Sequence, residues 1–195
     1  MSRPPRAFAA LAAADTVLAA LGKDRLRRWT KPLLMPTLLV GKQPPVQRAL
    51  ALGGAGDVAL LGEGQLAFTA GLASFLAGHL AWITALRPQS TGLIAKRPLT
   101  VAPYLGAWVG LNAYLWPKTG RDRIPVLLYS TALLGTALAA LDTGDAEVVA
   151  GGALFMASDT LLALERFADV HLPLHEGLVM AAYTSVQALL SRGAP

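Results

Sequence analysis

The chain has 195 residues, of which 54% are hydrophobic and only 15% charged, and its mean hydropathy is +0.48. An ordinary soluble domain carries about 25% charged residues and disordered chains are polar and charge-rich, so disorder is excluded, and the absence of Cys excludes a disulfide framework and a cysteine–zinc site. The net charge of +5 comes from short clusters between long apolar stretches, not from one basic face, which argues against nucleic-acid binding and matches the loops of a membrane protein.

In chain order, eight apolar stretches read as helices. The first, 7–22, is interrupted by Asp15. The second, 32–41, is short, carries Pro32 and Pro36, and extends backward through Trp29, Thr30 and Lys31. The third, 49–62, contains Asp57. Stretches 64–86, 99–117 and 124–141 are free of charged side chains over 23, 19 and 18 residues, each enough to reach the ~18-residue membrane-span threshold. The seventh, 148–164, contains Asp159, and the last, 177–191, is 15 residues without a charge. Between them stand turn-forming runs: Gln43-Pro44-Pro45, Arg87-Pro88, Arg97-Pro98, Pro117-Lys118-Thr119-Gly120 and Asp142-Thr143-Gly144-Asp145. Trp29, Trp82 and Trp116 lie near span ends, as in an aromatic belt.

Helices apolar on all sides need lipid or a very large core, which sets a soluble bundle aside. The expected fold is all-α and polytopic: about eight transmembrane helices in one bundle, a single integral domain over 1–195, in the cell membrane if the source is bacterial. Lys and Arg divide 8 to 9 between the two sides of such a bundle, so charge sets no orientation.

Burying an ionisable side chain in a membrane is costly, so such residues point to function. Asp57 in GDVALLGE and Asp159 in SDTLLALE have matched surroundings 102 residues apart: a small residue before, an apolar run after, and Glu63 or Glu165 six positions later. The match points to two four-helix halves related by an axis along the membrane normal, with the two acids in a shared site. Asp15 lacks that context and reads as structural. Two carboxyls in an apolar cavity suit acid–base chemistry, one kept neutral by desolvation as a proton donor, the other ionised, for example beside Lys31, and activating water. Proton or solute transport uses the same residue types.

Other polar residues are weaker signals. His79, Asn112, Tyr114, Tyr183 and Gln187 each suit helix-packing hydrogen bonds as well as a site, and Tyr183 and Gln187 share a helix face. The small-residue stripe Ala70, Ser74, Gly78 and the GxxxG of Gly106 and Gly110 read as close helix packing. His171 and His175 flank Pro173 in a loop, and a zinc site would need further ligands; no metal is expected. The cluster of Lys23, Arg25, Arg27 and Arg28 reads as an ordinary loop.

Taken in order, these features resemble one family. The chain is similar to the lysoplasmalogenases in Thr30-Lys31-Pro32 with Met35-Pro36, in Gly56-Asp57, and in Gly71-x-x-Ser74-Phe75-Leu76-x-Gly78-His79. The likeness continues in Gly151-Gly152-Ala153-Leu154-Phe155-x-x-Ser158-Asp159, Arg166-Phe167 and Tyr183-x-x-x-Gln187. The resemblance implies a membrane hydrolase that needs no cofactor and cleaves the vinyl ether bond of 1-alkenyl lysophospholipids with ethanolamine or choline head groups, releasing a fatty aldehyde and a glycerophospho-alcohol. It makes Asp57 and Asp159 the catalytic acids. Lys31 is then expected to bind the phosphate or hold one Asp ionised, with His79, Asn112, Tyr183 and Gln187 lining the cavity. The expected partners are the lysophospholipid substrate and membrane lipids, not nucleic acid. The rival readings are a proton- or solute-coupled transporter and a lipid-binding protein without turnover. A metal-dependent amidase would need more histidines than the chain has.

Overall fold

A computed structural model describes residues 4–193. Among these residues the chain forms α1 (Arg6–Ala20), α2 (Asp24–Leu39), α3 (Pro44–Ala59), α4 (Gly64–Leu86), the single turn α5 (Leu93–Lys96), α6 (Ala102–Leu115), α7 (Arg123–Thr143), α8 (Ala146–Ala168) and α9 (His175–Gly193). The eight long helices answer one for one to the eight apolar stretches, and the described residues contain no strand.

Helix boundaries follow local chemistry. Pro44 and Pro45 open α3, where a missing N–H costs nothing. Asp145 caps α8 by accepting from the backbone N–H groups of Glu147 and Val148 at 2.9 and 3.1 Å. Helix α2 departs most from expectation: it begins eight residues before Pro32, runs through both prolines and carries Arg25, Arg27, Arg28 and Lys31. Asp24 in its first turn suits the positive end of the helix dipole, and Arg27 finds carboxylates on three sides, at Asp15, Asp24 and Glu176. The stretch 99–117 is not one long helix. A 3₁₀ turn (Pro98–Val101) precedes α6, which ends at Leu115.

Three of the described helices are long and apolar enough to cross a membrane: α4, α7 with the turn before it, and α8. Within their most apolar stretches only 22%, 44% and 33% of residues are buried by the rest of the chain. Apolar helices this bare are those of a membrane protein, whose outer surface faces lipid. Helices α1, α2, α3 and α6, of 15, 16, 16 and 14 residues, are about 21–24 Å long at 1.5 Å per residue, against a hydrocarbon core of ~30 Å.

The helices pack in a closed sequence: α1 on α2, α2 on α3, α3 on α4, α4 on α7, α7 on α8, α8 on α9, and α9 back on α1. Helix α6 packs chiefly on α7, outside that ring. The helix pairs within the two halves correspond, α1 on α2 with α6 on α7, α2 on α3 with α7 on α8 and α3 on α4 with α8 on α9, whereas the close packing of α1 on α9 has no equal at α6. Two members of the stripe on α4 serve close packing, Ser74 Oγ donating to the Leu52 carbonyl at 2.7 Å and Gly78, where a Cβ would touch the α3 backbone at 3.5 Å, while Ala70 is exposed. The GxxxG does not, because beside both Gly106 and Gly110 the space is open. Trp29 and Trp116 are exposed as belt residues should be, whereas Trp82 is buried in the core between helices.

Candidate active site

A cleft of about 740 Å³ is walled by α2, α3, α4, α7, α8 and α9. Its rim carries charged side chains from the start of α2, the α3–α4 connection, the end of α8 and the start of α9, and its floor carries Asp57, Asp159, Tyr129 and Tyr183. The two acids are thus on different helices of one cavity, and both are buried, at 3% and 9% exposure.

Their company differs. Asp57 lies near the C-terminal end of α3. Lys31 Nζ is 3.3 Å from its Oδ1, and the Tyr183 hydroxyl donates to Oδ2 at 2.8 Å. Gly56 lets this segment approach α4: a Cβ there would fall 2.7 Å from the Phe75 ring, which in turn packs edge-on to Tyr183 with centroids 6.1 Å apart. Helix α2 presents Lys31 to Asp57 and stays helical through Pro32 and Pro36 beyond it. The proline rings remove two backbone donors yet leave the ammonium aimed into the bundle.

Asp159 sits mid-way along α8 with neutral hydrogen-bonding groups instead. The Tyr129 hydroxyl donates to its Oδ2, and His79 Nε2 lies 3.2 Å from that same hydroxyl and 3.9 Å from Oδ2. The far side of the imidazole, Nδ1, faces Thr136 Oγ1 at 3.1 Å. The Phe155 ring packs against that of His79, with centroids 4.6 Å apart and planes tilted by 46°. A carboxyl, a phenol, an imidazole and a threonine hydroxyl therefore form one buried line from α8 across α7 to α4.

Of the other sequence-derived site residues, Tyr183 lines the cleft and His79 stands behind Tyr129. Gln187 is buried one turn along from Tyr183 toward Gly53 and does not line it. Asn112 is elsewhere: it donates to the Trp108 carbonyl at 2.8 Å and accepts from Ser130 at 3.1 Å, tying α6 to α7. Asp15 is structural, as expected. It accepts from Thr30 at 2.5 Å, lies 3.8 Å from Arg27 Nε, and joins α1 to α2. His171 and His175 face Glu165, at 3.8 and 3.1 Å.

The profile of the YhhN family matches residues 26–194. The chain belongs to the YhhN family. Lysoplasmalogenases of Mycobacterium bovis and Mycobacterium tuberculosis are each 31% identical to it over 167 residues, covering 82% of this chain and 57% of the relative. The chain thus spans a little over half the length of these curated relatives. No solved structure matches it significantly. The region shared with the family contains every motif from Thr30 to Gln187 on which the lysoplasmalogenase resemblance rests, and with it both acids, Lys31, His79 and Tyr183.

Tyr129 is the cleft residue that sequence reasoning missed in this YhhN chain. Its one signal was a phenol inside the uncharged 124–141 stretch, and nothing in the sequence said that it would meet an acid 30 residues away. Arg166, seen only as part of a motif, also proves to line the cleft.

Proposed function

We propose that this chain is an integral membrane hydrolase that cleaves the vinyl ether bond of lysoplasmalogens, with Asp159 as proton donor and Asp57 as base. The observation that carries this reading is the pairing of two buried carboxyls in one cleft, one beside an ammonium and one among neutral groups. The substrate class is that named by the relatives' lysoplasmalogenase activity. A lipid substrate also suits a cleft whose inner walls are apolar side chains such as Leu72, Val126, Leu162 and Met180. We also read all eight long helices as membrane-embedded. Exposed Val17 and Leu21 on α1, Leu33 on α2, Leu105 and Val109 on α6 and Leu178 on α9 need lipid against them, and short helices are accommodated where a bilayer thins.

The chemistry closes on itself. Asp159 gives its proton to the β-carbon of the alkenyl chain, and the vinyl ether becomes an oxocarbenium ion. The Asp57 carboxylate, with Lys31 as countercharge, takes a proton from water as the water oxygen bonds to the α-carbon. The hemiacetal then collapses: Asp57 returns its proton to the departing glycerol oxygen, and the hemiacetal hydroxyl returns one to Asp159. Fatty aldehyde and glycerophospho-alcohol leave, and both acids are restored. Tyr129 and His79 position the Asp159 carboxyl, and Tyr183 positions that of Asp57. Preorganised charge of this kind stabilises the cation without reorganisation cost.

Turnover of an alkenyl lysophospholipid in D₂O tests the proton step. One deuteron at C2 of the aldehyde, with product lost in Asp159→Asn, is expected. An aldehyde without deuterium at C2 refutes β-carbon protonation.

A further inference from the structure

A second bay of about 440 Å³ opens off the rim of the cleft and shares Leu60, Gly62, Glu63, Phe68 and Arg166 with it. The rim charges are not equivalent. Arg27 is occupied by Asp15, Asp24 and Glu176, Lys31 by Asp57, and Glu165 by His175. Arg28, Arg166 and Glu63, by contrast, make no ion pair and no side-chain hydrogen bond among the described residues, and of these Arg166 and Glu63 line the bay. The Arg166 guanidinium instead sits over the Phe68 ring, its central carbon 3.6 Å from the ring centroid and 5.8 Å from that of Phe167. That cation–π contact places the guanidinium in the bay and uses none of its N–H donors. Glu63 stands at the N-cap of α4, but its carboxylate does not cap the helix. The bay thus offers one fixed cation and one anion, both without internal partners.

We infer that this bay is the subsite for a zwitterionic phosphoethanolamine head group, with the phosphate on Arg166 and the ammonium on Glu63. The inference rests on the hydrolase reading above and names the head group that the cleft selects. Spacing supports it. Arg166 follows Asp159 by seven residues on α8, a rise of about 10 Å. The link from a vinyl ether oxygen to the phosphorus of a lysophospholipid is five bonds, on the order of 6 Å when extended, which leaves room for a guanidinium–phosphate contact. Selectivity follows from the bay's chemistry. Quaternary ammonium is recognised by cages of aromatic faces, and the bay's one aromatic, Phe68, already carries Arg166 on its face. The Gln65 amide is engaged with Asp122 and Arg121. A carboxylate suits a primary ammonium with N–H donors, so ethanolamine is preferred over choline.

The test is equilibrium binding of two saturated 1-alkyl lysophospholipids, one with each head group, to the full chain in detergent and to its Glu63→Gln, Arg166→Gln and Arg166→Lys variants. The ethanolamine lipid is expected to bind about fivefold more tightly. Glu63→Gln should remove that preference by weakening the ethanolamine lipid alone. Arg166→Gln should weaken both lipids by about tenfold, with part recovered in Arg166→Lys, which keeps the charge but loses the planar fork. Equal affinities for the two lipids, or a preference that survives Glu63→Gln, would overturn the inference. Aldehyde release from the alkenyl lipids is measured alongside. Its absence would contradict the hydrolase reading alone, whereas release combined with equal binding would contradict the head-group subsite alone.

Discussion

Replacing Lys31 by Met removes the ammonium beside Asp57 and keeps most of its apolar stem. The two charges are 3.3 Å apart, with side chains 13% and 4% exposed, so their attraction is about 5 kcal/mol at an effective dielectric constant of ~20. Desolvation offsets much of that for the pair as a whole. Deleting one partner is different, because it strands the other, and such losses run to about 3–5 kcal/mol. Lys31→Met should therefore lower unfolding stability by that amount, read by circular dichroism as the protein is unfolded in mixed micelles. Asp57→Asn in the same background removes the stranded charge and keeps an acceptor for the Tyr183 hydroxyl. The double variant should recover most of the loss while remaining without hydrolytic activity. A loss below about 1 kcal/mol in Lys31→Met, or no recovery in the double variant, would refute a buried pair in which Lys31 is the countercharge of Asp57.

Three further outcomes follow from the geometry. Tyr129→Phe deletes the hydroxyl that donates to Asp159 and stands 3.2 Å from His79 Nε2, so kcat should fall about tenfold to a hundredfold with the fold retained, as steady-state aldehyde release would measure. Gly56→Ala puts a methyl group 2.7 Å from the Phe75 ring; thermal unfolding should show a cost of about 1–3 kcal/mol, and activity should drop because Phe75 backs Tyr183. Asp15→Asn weakens the tie to Arg27 and Thr30, so it should cost about 1–2 kcal/mol in unfolding and leave kcat unchanged, which separates the structural acid from the two in the cleft.

Hydropathy located the eight long helices of the described residues, three of them long and apolar enough to cross a membrane, where a backbone must satisfy its own hydrogen bonds. It misjudged α2, since Arg25, Arg27 and Arg28 end an apolar run without ending a helix, and Arg27 is neutralised by partners on α1 and α9 that only the fold brings near. It overextended α6, where Pro98 and Pro103 shape the entry and the chain leaves the helix before Pro117. The acids were legible as costly buried charges, and Lys31 as a countercharge. The line from Asp159 through Tyr129 and His79 to Thr136 was not, because it joins α8, α7 and α4, whose adjacency depends on how the ring closes. Asn112 looked equivalent to His79 in sequence, yet it faces α7 on the outside of that ring.

The central claim, a vinyl-ether hydrolase with its site at Asp57 and Asp159, is tested most directly by aldehyde release from purified protein in detergent. The substrate is an alkenyl lysophospholipid, its acyl counterpart is the control, and Asp57→Asn and Asp159→Asn are run in parallel. The expected result is aldehyde from the alkenyl lipid alone, lost in both variants while their helical content is unchanged. Aldehyde release that persists in either folded variant, or none from the folded parent protein, would contradict it.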